Sequence, residues 1–218
     1  MDGYRFSHLA GTIFENTNKP LRDWFKITHL MLTSKKGMSA RQLGRYMGFG
    51  SVKTAWLMAH KIRTALIEPE EKLGGIVEVN EAFIGGKAKN KHADKRDGLP
   101  GPTAGGRRAI IAGAVRRKGN VVARVVANVK TATLAAFVGE AASQGYPHAT
   151  IDHAAKEYVV GAVHTNIIEG FCSLIKRGIV GTFHNVSKKH LHLYVAEFQF
   201  RYNNRLNSDI FGTAIEGC

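Results

Sequence analysis

Apolar residues recur at helical spacing over residues 20–33, where Leu21, Phe25, Leu30 and Leu32 fall near i, i+4 steps. Pro20 suits the first turn of that helix, and Lys35-Lys36-Gly37 ends it. Ser39, followed three positions later by Gln42, forms a capping-box pattern. It opens a short helix through Arg41, Leu43 and Tyr46, which the Gly48-Phe49-Gly50 turn closes. Ser51 can cap the next helix, which runs through Thr54, Trp56, His60, Ile62 and Leu66. Two short helices about a glycine turn predict a helix-turn-helix over 20–67; a plain helical hairpin would show the same pattern.

Past the polar stretch 68–72 the period changes. Ile76, Val77, Val79, Phe83 and Ile84 form a strand-like run closed by Gly85-Gly86. Residues 87–108 are basic and rich in Gly and Pro, and read as a loop. Two β-rich runs, 109–115 and 121–126, flank Arg116-Arg117-Lys118-Gly119-Asn120, which predicts a hairpin. A helix is expected over 133–142 and another over 165–177, with Ile168, Phe171, Cys172 and Ile175 on its apolar side. Ser187 is expected to cap a longer helix with Leu191, Val195, Phe198 and Tyr202 inside, and with Lys188, Lys189, Arg201 and Arg205 outside. The fold class is therefore α/β, or mixed α+β, behind a helical front end.

Charge changes this picture. Lys and Arg number 31 against 17 acids, a net charge of +14 over 218 residues. Such a balance points to a polyanion, and nucleic acid is the usual one. In a helix-turn-helix the second helix reads the groove. Arg41, Lys53, Thr54, Lys61 and Arg63 are then candidate DNA contacts, with Lys87, Lys89, Lys91, Arg107 and Arg108 of the basic loop touching phosphates. No apolar run approaches the ~20 residues of a membrane span, and 1–10 lacks the apolar core of a signal peptide. Two cysteines, Cys172 and Cys218, cannot make a disulfide framework, which fits a cytoplasmic setting. His148, His153 and His164 crowd near Asp152, but surface histidine is the commoner reading in a basic DNA-handling chain.

The segments LMLTSKKGMSARQLGRYMGFGSVKTAW, GGIVEVNEAFIGGKAKNKH, HAAKEYVVGAVHTNIIEGFCSLIKRGIVGTFHNVS and HLHLYVAEFQFRYNNR resemble bacterial insertion-sequence transposases of the DDE class. The resemblance covers most of the chain. It implies an RNase H-like domain over 74–207, a front module at 20–67, a remnant at 1–19 and a tail at 208–218. It also implies metal-dependent cleavage and transfer of double-stranded DNA at transposon ends, with Mg²⁺ or Mn²⁺ as cofactor. A homo-oligomer is compatible with it. Two Mg²⁺ ions roughly 3.5–4 Å apart stabilise charge on the entering and leaving oxygens, so the protein must supply close carboxylates.

The same resemblance locates the site and its defects. Asn80 stands where the family pattern has its first Asp, and an amide brings no negative charge. Glu81 points to the opposite strand face. Asp152 is either the second carboxylate or, as its flanks suggest, part of the stretch before His164-Thr165-Asn166. On that second reading Ala142–Tyr146 bridges a deletion that removed a central strand and left the sheet incomplete. Asn166 or Glu169 would be the third metal ligand, and Lys176 a contact to transposon-end phosphate. A plain capping box at Thr165 or Asn166 with Glu169 explains the same residues. The four-Cys zinc ribbon often found at the front is absent from these residues. The expectation is a transposase-family protein with impaired chemistry; the alternative is a non-catalytic DNA binder competing for transposon ends.

Overall fold

The computed structural model describes residues 7–69, 71–85, 108–143 and 165–218. The chain divides into two units, Met1–Pro69 with Arg177–Cys218, and Glu70–Lys176. The architecture is mixed α and β, as expected from the changing hydrophobic period.

The first unit is helical. Helices α1 (Leu21–Thr33), α2 (Ala40–Met47) and α3 (Val52–Ala65) are joined there by α6 (Leu191–Asn203) and α7 (Ile210–Glu216). Both predicted caps form: Ser39 Oγ accepts the Gln42 N–H, and Ser51 Oγ accepts the Lys53 N–H. Gly48 ends α2 at φ 65°, a left-handed conformation that favours glycine. Trp24, Ile27, Met31, Leu43, Met58, Ile62, Leu66 and Phe200 share one core. Burying each such side chain contributes about 1.5–3 kcal/mol. Phe14 joins this core, with Leu9 and Ile13 packed against it.

The second unit is a three-stranded antiparallel sheet in the order β1 (Val77–Ile84), β2 (Ala109–Arg116), β3 (Val121–Val126). The predicted hairpin closes where Arg116 N–H donates to the Asn120 carbonyl. Side chains alternate across the pleat. Val77 and Val79 of β1, Ala112 and Ala114 of β2, and Val122 of β3 face α4 (Thr131–Ala141), with its Phe137 and Ala141. Asn80, Gly113 and Ala123 pair on the other face. There α5 (Asn166–Gly178) comes so near that a Cβ on Gly113 would lie 2.9 Å from Ile168 Cδ1. After α4 the chain bridges in parallel to Leu73, whose carbonyl accepts the Ser143 N–H.

Two expectations need correction, and the tail holds a helix that the sequence reading did not include. Ser187 makes no side-chain cap; a 3₁₀ turn at Lys188–His190 intervenes before α6. Arg201 does not lie on the exposed side of α6, because its guanidinium pairs with Glu197 and reaches the Ser34 carbonyl. The tail contains α7, capped by the Asp209 carboxylate accepting the Gly212 N–H at 2.8 Å. Among the described residues no helix is long and apolar enough to cross a membrane.

Candidate functional site

Strand β1 and the start of α5 carry the candidate catalytic residues. Strand alternation puts Asn80 on the face covered by α5 and Glu81, which is exposed, on the other. The Asn80 amide oxygen accepts the Glu81 backbone N–H at 2.8 Å. One step back on the same face is Glu78, a residue the sequence did not single out. Its side chain is only 2% exposed. Glu78 Oε1 accepts from Arg117 Nε at 3.0 Å. Oε2 accepts the backbone N–H of Ile167 at 2.9 Å and of Ile168 at 3.3 Å. Those two N–H groups open α5, so a carboxylate from β1 does the work of its cap.

At the helix start Thr165 and Glu169 pair through their side chains. Thr165 Oγ1 donates to Glu169 Oε1 at 2.7 Å. Asn166 is exposed and Glu169 half-buried; Lys176, two turns further, is exposed. Between them Cys172 is buried, and burial pushes its thiol up to about 11. Lys176 opposes that shift, while Glu81 and Glu169 add to it.

This donor set does not fit a pair of Mg²⁺ ions. Hard divalent cations need several converging oxygens, preferably charged. Glu78 faces a guanidinium and a helix start, and Asn80 offers an amide oxygen already accepting a backbone N–H. Among the described residues no three His, Cys, Asp or Glu side chains gather into a metal-holding group. Asp152, His148, His153 and His164 lie outside the described residues.

The candidate DNA contacts separate sharply. Arg41 and Lys53 are exposed at the starts of α2 and α3, and Thr54 is half-buried. A cleft of about 500 Å³ beside them is lined by Arg41, Gly44, Arg45, Gly48, Phe49 and Val52. Lys61 is turned back on its own unit, donating to the carbonyls of Ile13 at 3.0 Å and Glu15 at 3.2 Å. Arg63 is 3% exposed and paired with Glu197 at 2.7 Å, so it does not face a groove. Its guanidinium also lies 4.0 Å from the Tyr194 ring centroid. The physical reason is desolvation: a charge on the apolar side of α3 must bring its partner with it. Arg108 is half-buried just before β2; Lys87, Lys89, Lys91 and Arg107 lie outside the described residues.

The Arg201–Arg205 motif is structural in this geometry. Asn203 and Asn204 donate to Glu68 at 2.7 and 3.2 Å, tying α6 to the segment that follows α3. Arg205 stacks over Tyr202 at 4.2 Å.

Residues 72–146 and 139–203 match the family described as the ISXO2-like transposase domain. A protein of Halobacterium salinarum, described as an uncharacterized protein in transposable element ISH50, is 25% identical over 222 residues. That similarity covers 90% of this chain and 74% of the relative. No solved structure gives a significant match. Because the family match spans well over half of the chain, the protein belongs to the insertion-sequence transposases, in the family of the ISXO2-like transposase domain.

Proposed function

We propose that this chain binds transposon DNA through its helical front unit and has lost, or nearly lost, the strand-cleavage chemistry of its family. The observation that carries the reading is Asn80. It stands where the family pattern has a carboxylate, and its amide oxygen accepts the neighbouring Glu81 N–H. Removing one negative charge from a two-metal site raises the barrier by several kcal/mol, since electrostatic stabilisation is most of what such a site supplies.

Two further observations support it. The family match falls into two pieces that overlap at 139–146, around the Ala142–Tyr146 stretch where the deletion is inferred. An RNase H-like domain stripped of a central strand also accords with three antiparallel strands held between α4 and α5. On this reading 20–67 is the DNA-binding helix-turn-helix, with Arg41, Lys53 and Thr54 its main contacts. Asn80, Asn166, Glu169 and Lys176 are vestiges of the site at which the ancestral enzyme bound Mg²⁺ or Mn²⁺.

The test is nicking of a labelled duplex carrying the DNA that flanks the gene, in Mg²⁺ and then Mn²⁺. The expected result is a bound but uncut duplex, with Asn80→Asp also failing to restore cutting because the second carboxylate segment is gone. Site-specific cuts by the unaltered chain that vanish on Asp152→Ala or Glu169→Gln would overturn the reading. Retained preference for the flanking sequence at raised salt separates specific recognition from charge-driven adsorption.

A further inference from the structure

A second cleft in the helical unit, of about 650 Å³, is lined by Arg22, Phe25, Lys26, His29, Leu30, Tyr46, Met47 and Phe211. It is built from α1, the end of α2 and the start of α7, and shares no lining residue with the cleft beside Arg41. Its wall is aromatic and layered: Phe25 meets Phe211 edge-on at 6.0 Å and Phe14 at 6.1 Å. Tyr46 stands 68% exposed and Phe25 37% exposed, so both residues reach solvent at the cleft. Arg22, Lys26 and His29 repeat at i, i+4 and i+7 on α1, along one edge of the cleft. Asp23 approaches Arg22 only at 3.9 Å, and among the described residues no acid lines the cleft.

We propose that this cleft is a binding site for single-stranded DNA, separate from the duplex-reading surface. Exposed rings give sequence-tolerant stacking platforms because every base has a π face, and a row of cations tracks the phosphates. An aromatic floor with a purely basic edge is complementary to a chain that alternates apolar base faces with negative charge. An ordinary duplex cannot use the rings, since its bases are already stacked. The site would take one or two unpaired nucleotides, such as those at a frayed or nicked end. It does not depend on residual cleavage activity.

The experiment is fluorescence anisotropy of the full chain with a labelled oligo-dT of about ten nucleotides, within the usual single-strand site size. Three controls accompany it: an abasic oligonucleotide of equal charge, a random duplex, and an acidic amphipathic peptide. Tyr46→Ala should weaken oligo-dT binding roughly 5- to 150-fold, the range for losing one base–aromatic stack, and leave duplex binding unchanged. Lys26→Glu, at an exposed position, should weaken oligo-dT binding and steepen its loss less with salt. Arg41→Ala and Lys53→Ala should do the reverse, lowering duplex affinity alone. Failure of those two variants to act on duplex would thus count against the proposed function and not against this cleft. Equal affinity for abasic and oligo-dT ligands, or no effect of Tyr46→Ala, would overturn the proposal. So would tight binding of the peptide with none of oligo-dT, which would make the cleft a protein-docking groove.

Discussion

Glu197 on α6 and Arg63 on α3 meet at 2.7 Å with side chains 0% and 3% exposed. Arg201, one turn along from Glu197, gives the same carboxylate a second partner at 3.3 Å. One buried acid therefore holds two guanidiniums, and Arg201 passes the connection on to the Ser34 carbonyl at the end of α1. Taking charges out of water is costly, and only completeness makes the arrangement tolerable. Glu197→Ala leaves two cations buried together and should destabilise the helical unit by about 3–5 kcal/mol. Urea denaturation reads this directly. A shift no larger than that of the exposed Lys53→Ala variant would show that the network does not bear on stability.

The Glu78 carboxylate joins β1 to the first turn of α5 and also pairs with Arg117. Glu78→Gln keeps an oxygen for one N–H but loses the charge that favours a helix N-terminus. The expected cost is about 0.5–2 kcal/mol, the size of a lost cap. Amide hydrogen exchange is the sharper readout: protection at Ile167 and Ile168 should fall while that of the α4 amides stays the same. Equal protection in the variant and the parent would remove Glu78 from the cap.

Cys172 should react slowly with alkylating reagents at pH 8, because its folded thiol ionises only near 11. Cys218, whose thiol is also pushed up by burial but less completely enclosed, should react first. The stability linkage has a definite sign. A pKa raised above the unfolded value of 9.0 contributes stability that is intact below pH 9 and is lost as pH rises through about 11. Cys172→Ala should flatten that alkaline decline, and an unchanged slope would refute the assignment.

His60 gives the opposite slope. Burial holds its pKa below the ordinary 6.5, while its Nδ1 partners the Trp56 carbonyl at 2.9 Å and its ring stacks on Trp56. A lowered histidine pKa contributes stability present above pH 6.5 and lost as pH falls through the folded value. Thermal melts between pH 7.5 and 5 should show that fall, and His60→Phe should reduce it. Identical pH profiles in the variant and the parent would show that His60 is not the titrating group.

Local chemistry was easiest to read from the sequence. Ser39, Ser51 and the Arg116–Asn120 turn are short-range devices, and the structure forms each of them. The helices over 20–33 and 165–177 also followed from their apolar spacing. What escaped was long-range. Arg63 looked like a groove-facing cation because its partner Glu197 lies 134 positions away. A signal did exist: Glu197 interrupts the apolar stripe of α6 between Tyr194 and Phe198, where a charge must be paired. Glu78 escaped similarly, since an acid in a strand looks solvent-facing unless its helix partner is known. Helix α7, at seven residues, is too short for periodicity to show, although Asp209 marked its start.

The bond from Glu78 to the start of α5 spans 89 residues of chain. That distance gives the fold a kind of tolerance to editing. Two amide groups of α5 meet one carboxylate of β1, a contact that does not depend on how much chain runs between them. Removing a stretch from the intervening sequence alters the closure entropy by only about 0.6 kcal/mol for each halving of its length. A chain can thus lose an internal segment while the helix still finds its seat.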